Sequence, residues 1–400
     1  MRIASDYFAR YAALDMNRNN GSIAQIQAQI ASGKRLLKPS DGPADAAQVS
    51  YLSDATNRIA QHQNNATIAE QKLRTEEETL TGVTNTLQRM REILLGAKSG
   101  VQTEGSRFAY KAEAEQLLSQ LVSYANTRGA DGSYLFSGNK AQTQPFVRIA
   151  GAMSYEGDQG QNLVTVGESR QVADVDSGDA VFMRILNGNG TFAVNANPGN
   201  LGSGQIYEGG VVDKALHNGG DFALRITAPN SLDIVDRATG MVVQSAIAFA
   251  PGQAIQFNGI QVSITGNPQV GDEFDVTASR AESMFSTFDR FLAEMGRDLA
   301  TPADNTHHQQ QLNRVLNDLD RALDHTQQKI SSVGARRKFI EDTTAENESV
   351  NLLLERARST IQDTDYAEAI SRLEYQMFTL DAVRQSYARI EGRSLFDFLR

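Results

Sequence analysis

The stretch LSDATNRIAQHQNNATIAEQKLRTEEETLTGVTNTLQRMREILLGAKSGV, residues 52–101, decides the fold. An apolar or small residue returns at every seventh position: Leu52, Ile59, Ala66, Leu73, Leu80, Leu87, Leu94 and Val101. A strict period of seven belongs to a long helix with a supercoiled seam. At ~1.5 Å of rise per residue such a helix extends about 75 Å. The companion seam, Ala55, His62, Ala69, Glu76, Val83, Met90 and Ala97, is mixed. Polar residues there predict a bundle whose depth varies along its length. A helix cannot bury such a stripe alone, so the rest of the chain must supply a partner.

Outward from this helix the pattern stays helical. Tyr110, Ala114, Leu117, Leu121 and Tyr124 mark a second helix. The C-terminal arm mirrors the first. Phe285, Phe288, Phe291, Leu292 and Met295 form one stripe. Thr301-Pro302-Ala303-Asp304 reads as an N-cap with proline at the first helical position. Leu312, Leu316, Leu319, Leu323, Ile330 and Val333 continue a helix to about Thr360. Asp363-Thr364-Asp365 interrupts it, and Asp365 with Glu368 resembles a new capping box. The last helix carries Ile370, Leu373, Met377, Leu380 and Tyr387.

Between the arms the period drops to two. Phe222, Leu224 and Ile226 alternate with polar or small neighbours, as do Leu232 and Ile234, the trio Ile260, Val262 and Ile264, and the pair Phe274 and Val276. Residues 145–278 hold 19 of the 32 glycines, with 6 basic against 14 acidic residues. Short strands punctuated by turns follow. The predicted fold class is therefore mainly α with an inserted all-β domain. The N- and C-terminal arms would pair as a long antiparallel coiled-coil or bundle rod, with the β domain projecting from it.

Composition excludes several chemistries. The 400 residues are 40% hydrophobic and 22% charged, which suits a folded chain. Absence of cysteine removes disulfides, thiolate metal sites and a cysteine nucleophile. A net charge of −10 argues against binding duplex nucleic acid. No apolar run is long enough for membrane insertion, and no cleaved secretory signal is visible. Metalloprotease, nucleophile-elbow and phosphate-loop signatures are missing. The glycine-rich runs at 188–190 and 199–204 read as turns. Adjacent His307 and His308 would point about 100° apart on a helix, on a solvated face. Glu76-Glu77-Glu78 reads as an exposed acidic face, and Arg336-Arg337-Lys338 as a salt-bridging face or subunit contact. Asp174, Asp176 and Asp179 lack the spacing of a calcium loop. The expectation is a non-enzyme, with no catalytic residue, no cofactor and no metal.

An ordinary helical bundle would account for 52–140 and 279–360. It leaves the ends unexplained. Ile23, Ile26 and Ile30 mark a short amphipathic helix that Ser32-Gly33 would stop. The C-terminal run Ser394-Leu395-Phe396-Asp397-Phe398-Leu399-Arg400 is apolar where termini are usually polar, which suggests burial against another subunit.

The run Ile30-Ala31-Ser32-Gly33-Lys34-Arg35-Leu36-Leu37-Lys38-Pro39-Ser40-Asp41-Gly42-Pro43-Ala44-Asp45-Ala46-Ala47 resembles the signature of the bacterial flagellin family. That signature is a Ser-Gly helix stop, a basic residue, a Ser/Asp turn and an alanine-rich helix start. The end from Asp363, with Asp365-Tyr366-Ala367-Glu368 and the Leu395–Phe398 run, is similar to the family's C-terminal helix. Three features resemble the hook–filament junction branch. They are Pro39 and Pro43 around Ser40-Asp41, the segment Asn126 through Gly132, Tyr134, Leu135, Phe136 and Gly138 to Phe146, and the ending Leu395-Phe396-Asp397-Phe398.

The resemblance implies a structural component of the extracellular flagellum. It would be exported by the flagellar type III apparatus without a cleaved signal and assembled through its terminal helices. Residues 1–42 with 362–400 would form an inner coiled-coil layer. Residues 43–144 with 279–361 would form a helical rod domain, and 145–278 an outer β domain. The inner seam would use Ile23, Ile26, Ile30, Leu373, Leu380, Tyr387, Leu395, Phe396 and Phe398. Implied partners are copies of the chain itself, the preceding hook-associated junction protein, flagellin and a cytoplasmic export chaperone. The alternative within the family is the bulk filament subunit. Outside it stand a secreted protease, which the missing His-Glu-x-x-His disfavours, and a cytoplasmic coiled-coil protein.

Overall fold

The computed structural model describes residues 2–99 and 103–391. Among these, six helices flank a β-rich middle. They are α1 (Arg2–Ser32), α2 (Pro43–Lys98), α3 (Glu104–Ala125), α4 (Met284–Met295), α5 (Pro302–Gln362) and α6 (Tyr366–Glu391). Two compact units divide the chain, 1–64 with 342–400 and 65–341, and the divisions fall inside α2 and α5.

In the first unit α1 packs on α6. The helix expected over Ile23–Ile30 is much longer, beginning at Arg2. Its polar Asn17–Asn20 run hides the period, yet these residues stay helical. The stop falls where Ser32-Gly33 predicts it: Gly33 takes φ +70°, the left-handed conformation open to glycine.

In the second unit the heptad positions become the core. Ala66, Leu73, Leu80, Leu87 and Leu94 are buried, with Ala69, Val83, Met90 and Ala97 of the companion seam. Val101 lies outside the described residues. Burying each large aliphatic side chain stabilises the fold by roughly 1.5–3 kcal/mol. α3 buries Ala114, Leu118, Leu121 and Ala125. Its Tyr124 ring lies so close to Gly82 of α2 that an added Cβ would sit 2.6 Å away. α4 buries Phe285, Phe288, Phe291 and Met295, and the Ser283 hydroxyl caps it by accepting from the Ser286 N–H at 3.1 Å. The α5 start is a capping box closed by aspartate. Asp304 N–H donates to Thr301 Oγ1 at 3.1 Å, and Thr301 N–H donates to Asp304 Oδ2 at 3.0 Å.

The middle contains two different structures. Strands β1 (Phe146–Ile149), β2 (Ala152–Tyr155), β3 (Leu163–Gly167) and β4 (Arg170–Ala173) form two hairpins. They add Phe146, Val166 and Val172 to the helical core, where Tyr155, Phe182 and Phe285 pack against the Phe146 ring. The rest has its own core. A five-stranded sheet joins β10 (Val242–Ala248), β9 (Ser231–Asp236), β8 (Phe222–Ala228), β13 (Glu273–Ala278) and β6 (Phe192–Ala196), in that spatial order. A three-stranded sheet joins β11 (Ala254–Phe257), β12 (Ile260–Thr265) and β7 (Gln205–Val211). All these pairings are antiparallel. The alternating residues Phe222, Leu224, Ile226, Leu232, Ile234, Ile260, Val262, Ile264, Phe274 and Val276 all face that core.

Candidate functional site

The N- and C-terminal arms meet at a corner built from the Gly33 motif. Because Gly33 turns the chain, Arg35 N–H donates to Gln362 O at 2.7 Å and Thr364 N–H donates to Gly33 O at 2.9 Å. Lys34 and Asp363 form an antiparallel bridge. The Arg35 guanidinium spans the corner, donating to Ile361 O and to Asp45 Oδ2, both at 2.8 Å. It thus binds an orphan carbonyl at the end of α5 and an acid in the first turn of α2. Pro39-Ser40-Asp41 forms a single 3₁₀ turn. The Asp41 carboxylate accepts the Leu37 and Lys38 N–H groups at 3.1 and 2.9 Å. Ala44 lies exposed in the first turn of α2. Asp365 caps α6 by accepting from Ala367 and Glu368 N–H at 2.9 and 3.2 Å. Glu368 pairs with Arg372 rather than completing the capping box.

Ile23, Ile26, Ile30, Leu373 and Tyr387 are half-buried and Leu380 is buried. Leu395, Phe396 and Phe398 lie outside the described residues. Toward the α1 start, Tyr7, Tyr11, Ala12, Thr379, Val383 and Tyr387 line a groove of about 480 Å³. Tyr375, Met377 and Phe378 of α6 remain exposed, Phe378 at 74%.

The second motif closes the passage from α3 into the hairpins. The Asn126 side chain imitates a strand: Nδ2 donates to Phe146 O and Oδ1 accepts from Phe146 N–H, both at 3.0 Å. Gly132 turns at φ +78°. The Arg128 guanidinium donates to Tyr134 Oη at 2.7 Å and lies 4.3 Å from the ring centre. Leu135 and Phe136 enter the core. Gly138, at φ +67°, is required because a Cβ would fall 2.2 Å from the Asp158 carboxylate.

Several charged residues lie elsewhere than expected. Glu76 is not on an exposed face: it occupies the companion seam and is fully buried. Asp176 N–H donates to it at 3.2 Å, and Arg336 joins Asp176 at 3.0 Å. Burial first, and the Asp176 charge second, push Glu76 up to about 8. Asp174 pairs with Lys72 at 3.0 Å, Asp179 with Arg184 at 2.6 Å, and Arg337 with Glu70 and Glu77. His308 is not solvated either: it is 2% exposed, 3.4 Å from Glu294, because α5 turns it toward α4. The run at 188–190 is a turn, in which Asn189 N–H donates to Phe192 O at 3.0 Å. At 199–204, Asp272 accepts the Leu201 and Gly202 N–H groups. Among the described residues no group of three His, Asp or Glu side chains is arranged to hold a metal, and no helix is long and apolar enough to cross a membrane.

Residues 3–141 match the bacterial flagellin N-terminal helical region. Flagellar hook-associated protein 3 of Escherichia coli K12 is 33% identical over 157 residues, 39% of this chain and 49% of that protein. The chain therefore spans about half the length of this relative. The solved flagellar hook associated protein-3 of Legionella pneumophila is 30% identical, with a TM-score of 0.74 over 78% of this chain and 98% of that one. This chain belongs to the flagellin family. The solved flagellar junction protein FlgL from Legionella pneumophila is 31% identical, with a TM-score of 0.70 over 78% of this chain and 99% of that one. Within this flagellin-family chain, sequence reasoning found Gly33 and Asp365 but missed Arg35 and Thr364, which join the arms. The one available signal was the basic pair Lys34-Arg35 directly after a helix stop.

Proposed function

We propose that this chain is a structural subunit of the bacterial flagellum, forming the junction between hook and filament. One observation carries the reading. Both arms fold together as α1 and α6 yet leave Tyr11, Tyr375 and Phe378 in water. Paired helices with uncovered aromatic area offer a surface to further copies of the chain. Similarity to hook-associated protein 3 and to a junction protein favours the junction over the bulk filament.

In this reading the chain is exported through the flagellar type III apparatus, with a cytoplasmic chaperone, and works outside the cell. Residues 1–42 with 362–400 pack as an inner coiled-coil layer. Residues 43–144 with 279–361 form the rod, and 145–278 carry the outer β domain, with the hairpins of 146–173 packed on the helical core. Ile23, Ile26, Ile30, Leu373, Leu380, Tyr387, Leu395, Phe396 and Phe398 form the seam. One side of each subunit contacts the preceding hook-associated protein, the other the first flagellin subunits. Such contacts are heterologous, the geometry that continues as a helix. The role is mechanical and needs no catalytic group. Immunogold labelling of intact flagella tests this. Gold confined to a band between hook and filament supports the junction role. Gold along the whole filament means a bulk subunit, and gold only inside cells rejects both.

A further inference from the structure

The β body with its own core is joined to the helices by polar contacts. Its apolar cluster is separate from the helical one. The joint is a stripe on α5: Gln310, Gln311, Arg314, Asn317 and Asp318, at helical spacings that share one face. Gln310 extends the β7 edge, accepting from Ile206 N–H at 2.9 Å and donating to Ile206 O at 3.0 Å. Gln311 donates to Asn195 Oδ1 at 2.9 Å. Asn317 donates to Glu208 Oε2 at 2.8 Å, and Asp318 accepts from Gly188 N–H at 3.1 Å. Water can replace every one of these bonds, so their net hold is modest.

The chain crosses between the two cores twice, side by side. β5 (Ile185–Leu186) pairs with β14 (Ala281–Glu282), and Gly188 and Gly190 follow at φ +64° and +85°. Two short strands, one of them leading into left-handed glycines, give the chain a narrow crossing at which it can bend.

Glu208 sits at the centre of the joint, on β7. Its other oxygen accepts from Val194 N–H of β6 at 3.0 Å. The charged groups around it are Asp318 and Arg314 of α5. These in turn meet Arg290 of α4 and Glu282 of β14. We propose that the β body swings off α5 as a unit about the β5–β14 ribbon, with the Glu208 side chain as the latch that loosens when it ionises. Burial pushes Glu208 up to about 7, the Val194 N–H opposes this, and Asp318 adds to the rise. The docked form therefore holds a proton that the released form gives up. Docking is strongest at low pH, weakens as pH climbs from the ordinary carboxylate value toward 7, and is flat beyond.

Amide hydrogen exchange on the full chain tests this, corrected for the intrinsic pH dependence of exchange. From pH 5 to pH 8, protection of the Ile206 and Gly188 amides falls roughly 50-fold. Protection of Val276, inside the β body, stays constant. Glu208→Gln reduces the pH dependence at Ile206 and Gly188, leaving only the share of Asp318, whose carboxyl burial also pushes up. Asn317→Ala takes away one donor to the carboxylate and moves the midpoint to higher pH. An unchanged pH profile in Glu208→Gln overturns the latch. Loss of Ile206 and Val276 protection together overturns movement as a unit.

Discussion

Replacing Glu76 by glutamine should make this protein more stable at neutral pH. Glu76 is fully buried in the helical core. Arg336 lies nearer to Asp176, at 3.0 Å, than to Glu76, at 3.8 Å. Lys329 also reaches Asp176, at 3.8 Å. The cations are thus committed chiefly to Asp176, and Glu76 keeps its proton up to about pH 8, against an ordinary value of 4.5. An unfolded chain releases that proton earlier. Stability from this group is complete below pH 4.5, declines as pH rises to about 8 and then levels off. At ~1.4 kcal/mol per pH unit, the cost at pH 7 is about 3 kcal/mol. Glutamine keeps an acceptor for the Asp176 N–H and cannot ionise. Urea unfolding followed by circular dichroism at pH 5, 6, 7 and 8 measures the effect. The difference in stability between variant and parent should widen in favour of the variant by about 3 kcal/mol from pH 5 to pH 8. Parallel pH profiles would refute the reasoning.

Other perturbations probe the arms. Gly33→Ala places a side chain at φ +70° and 3.0 Å from the Tyr366 hydroxyl. It should cost about 1–2 kcal/mol at the corner, read as faster exchange of the Thr364 amide with the core amides unmoved. Asn126→Ala leaves the Phe146 N–H without its partner and the Phe146 carbonyl with only the Gln144 amide, and should lower unfolding stability by about 2 kcal/mol in urea. Leu380→Asp puts a charge into the α1–α6 seam. Assembly into flagella, scored by electron microscopy, should be lost, while the unfolding transition of residues 65–341 stays in place.

Regular periods were the legible part. Leu73, Leu80 and Leu87 lie in the core because seven-residue spacing leaves no other face for them. Phe222 to Ile226 and Ile260 to Ile264 read correctly as strands because alternation survives turns. Local chemistry placed the stop at Gly33 and the caps at Thr301 and Asp365. Long-range pairing stayed hidden. A buried Glu76 looks like any helix acid until Asp176, a hundred residues away, arrives to bond it. His308 turns inward only because α4 offers Glu294. The hairpins at 146–173 join the helical core through aromatic packing at Phe146 and Phe182, which no period announces. The Asn17–Asn20 run disguised α1, whose support comes from α6 across nearly the whole chain. The proposed assembly residues rest on family resemblance alone, since contacts with other subunits would leave only unexplained apolar surface in a single chain.

The most direct test of the account is the phenotype of a strain lacking this gene. Swimming, hook morphology and flagellin in the culture medium would be scored together. A junction subunit predicts hooks without filaments and flagellin monomer shed into the medium. Normal filaments and normal swimming would contradict the account, and hooks without filaments or shed subunits would make this chain the filament itself.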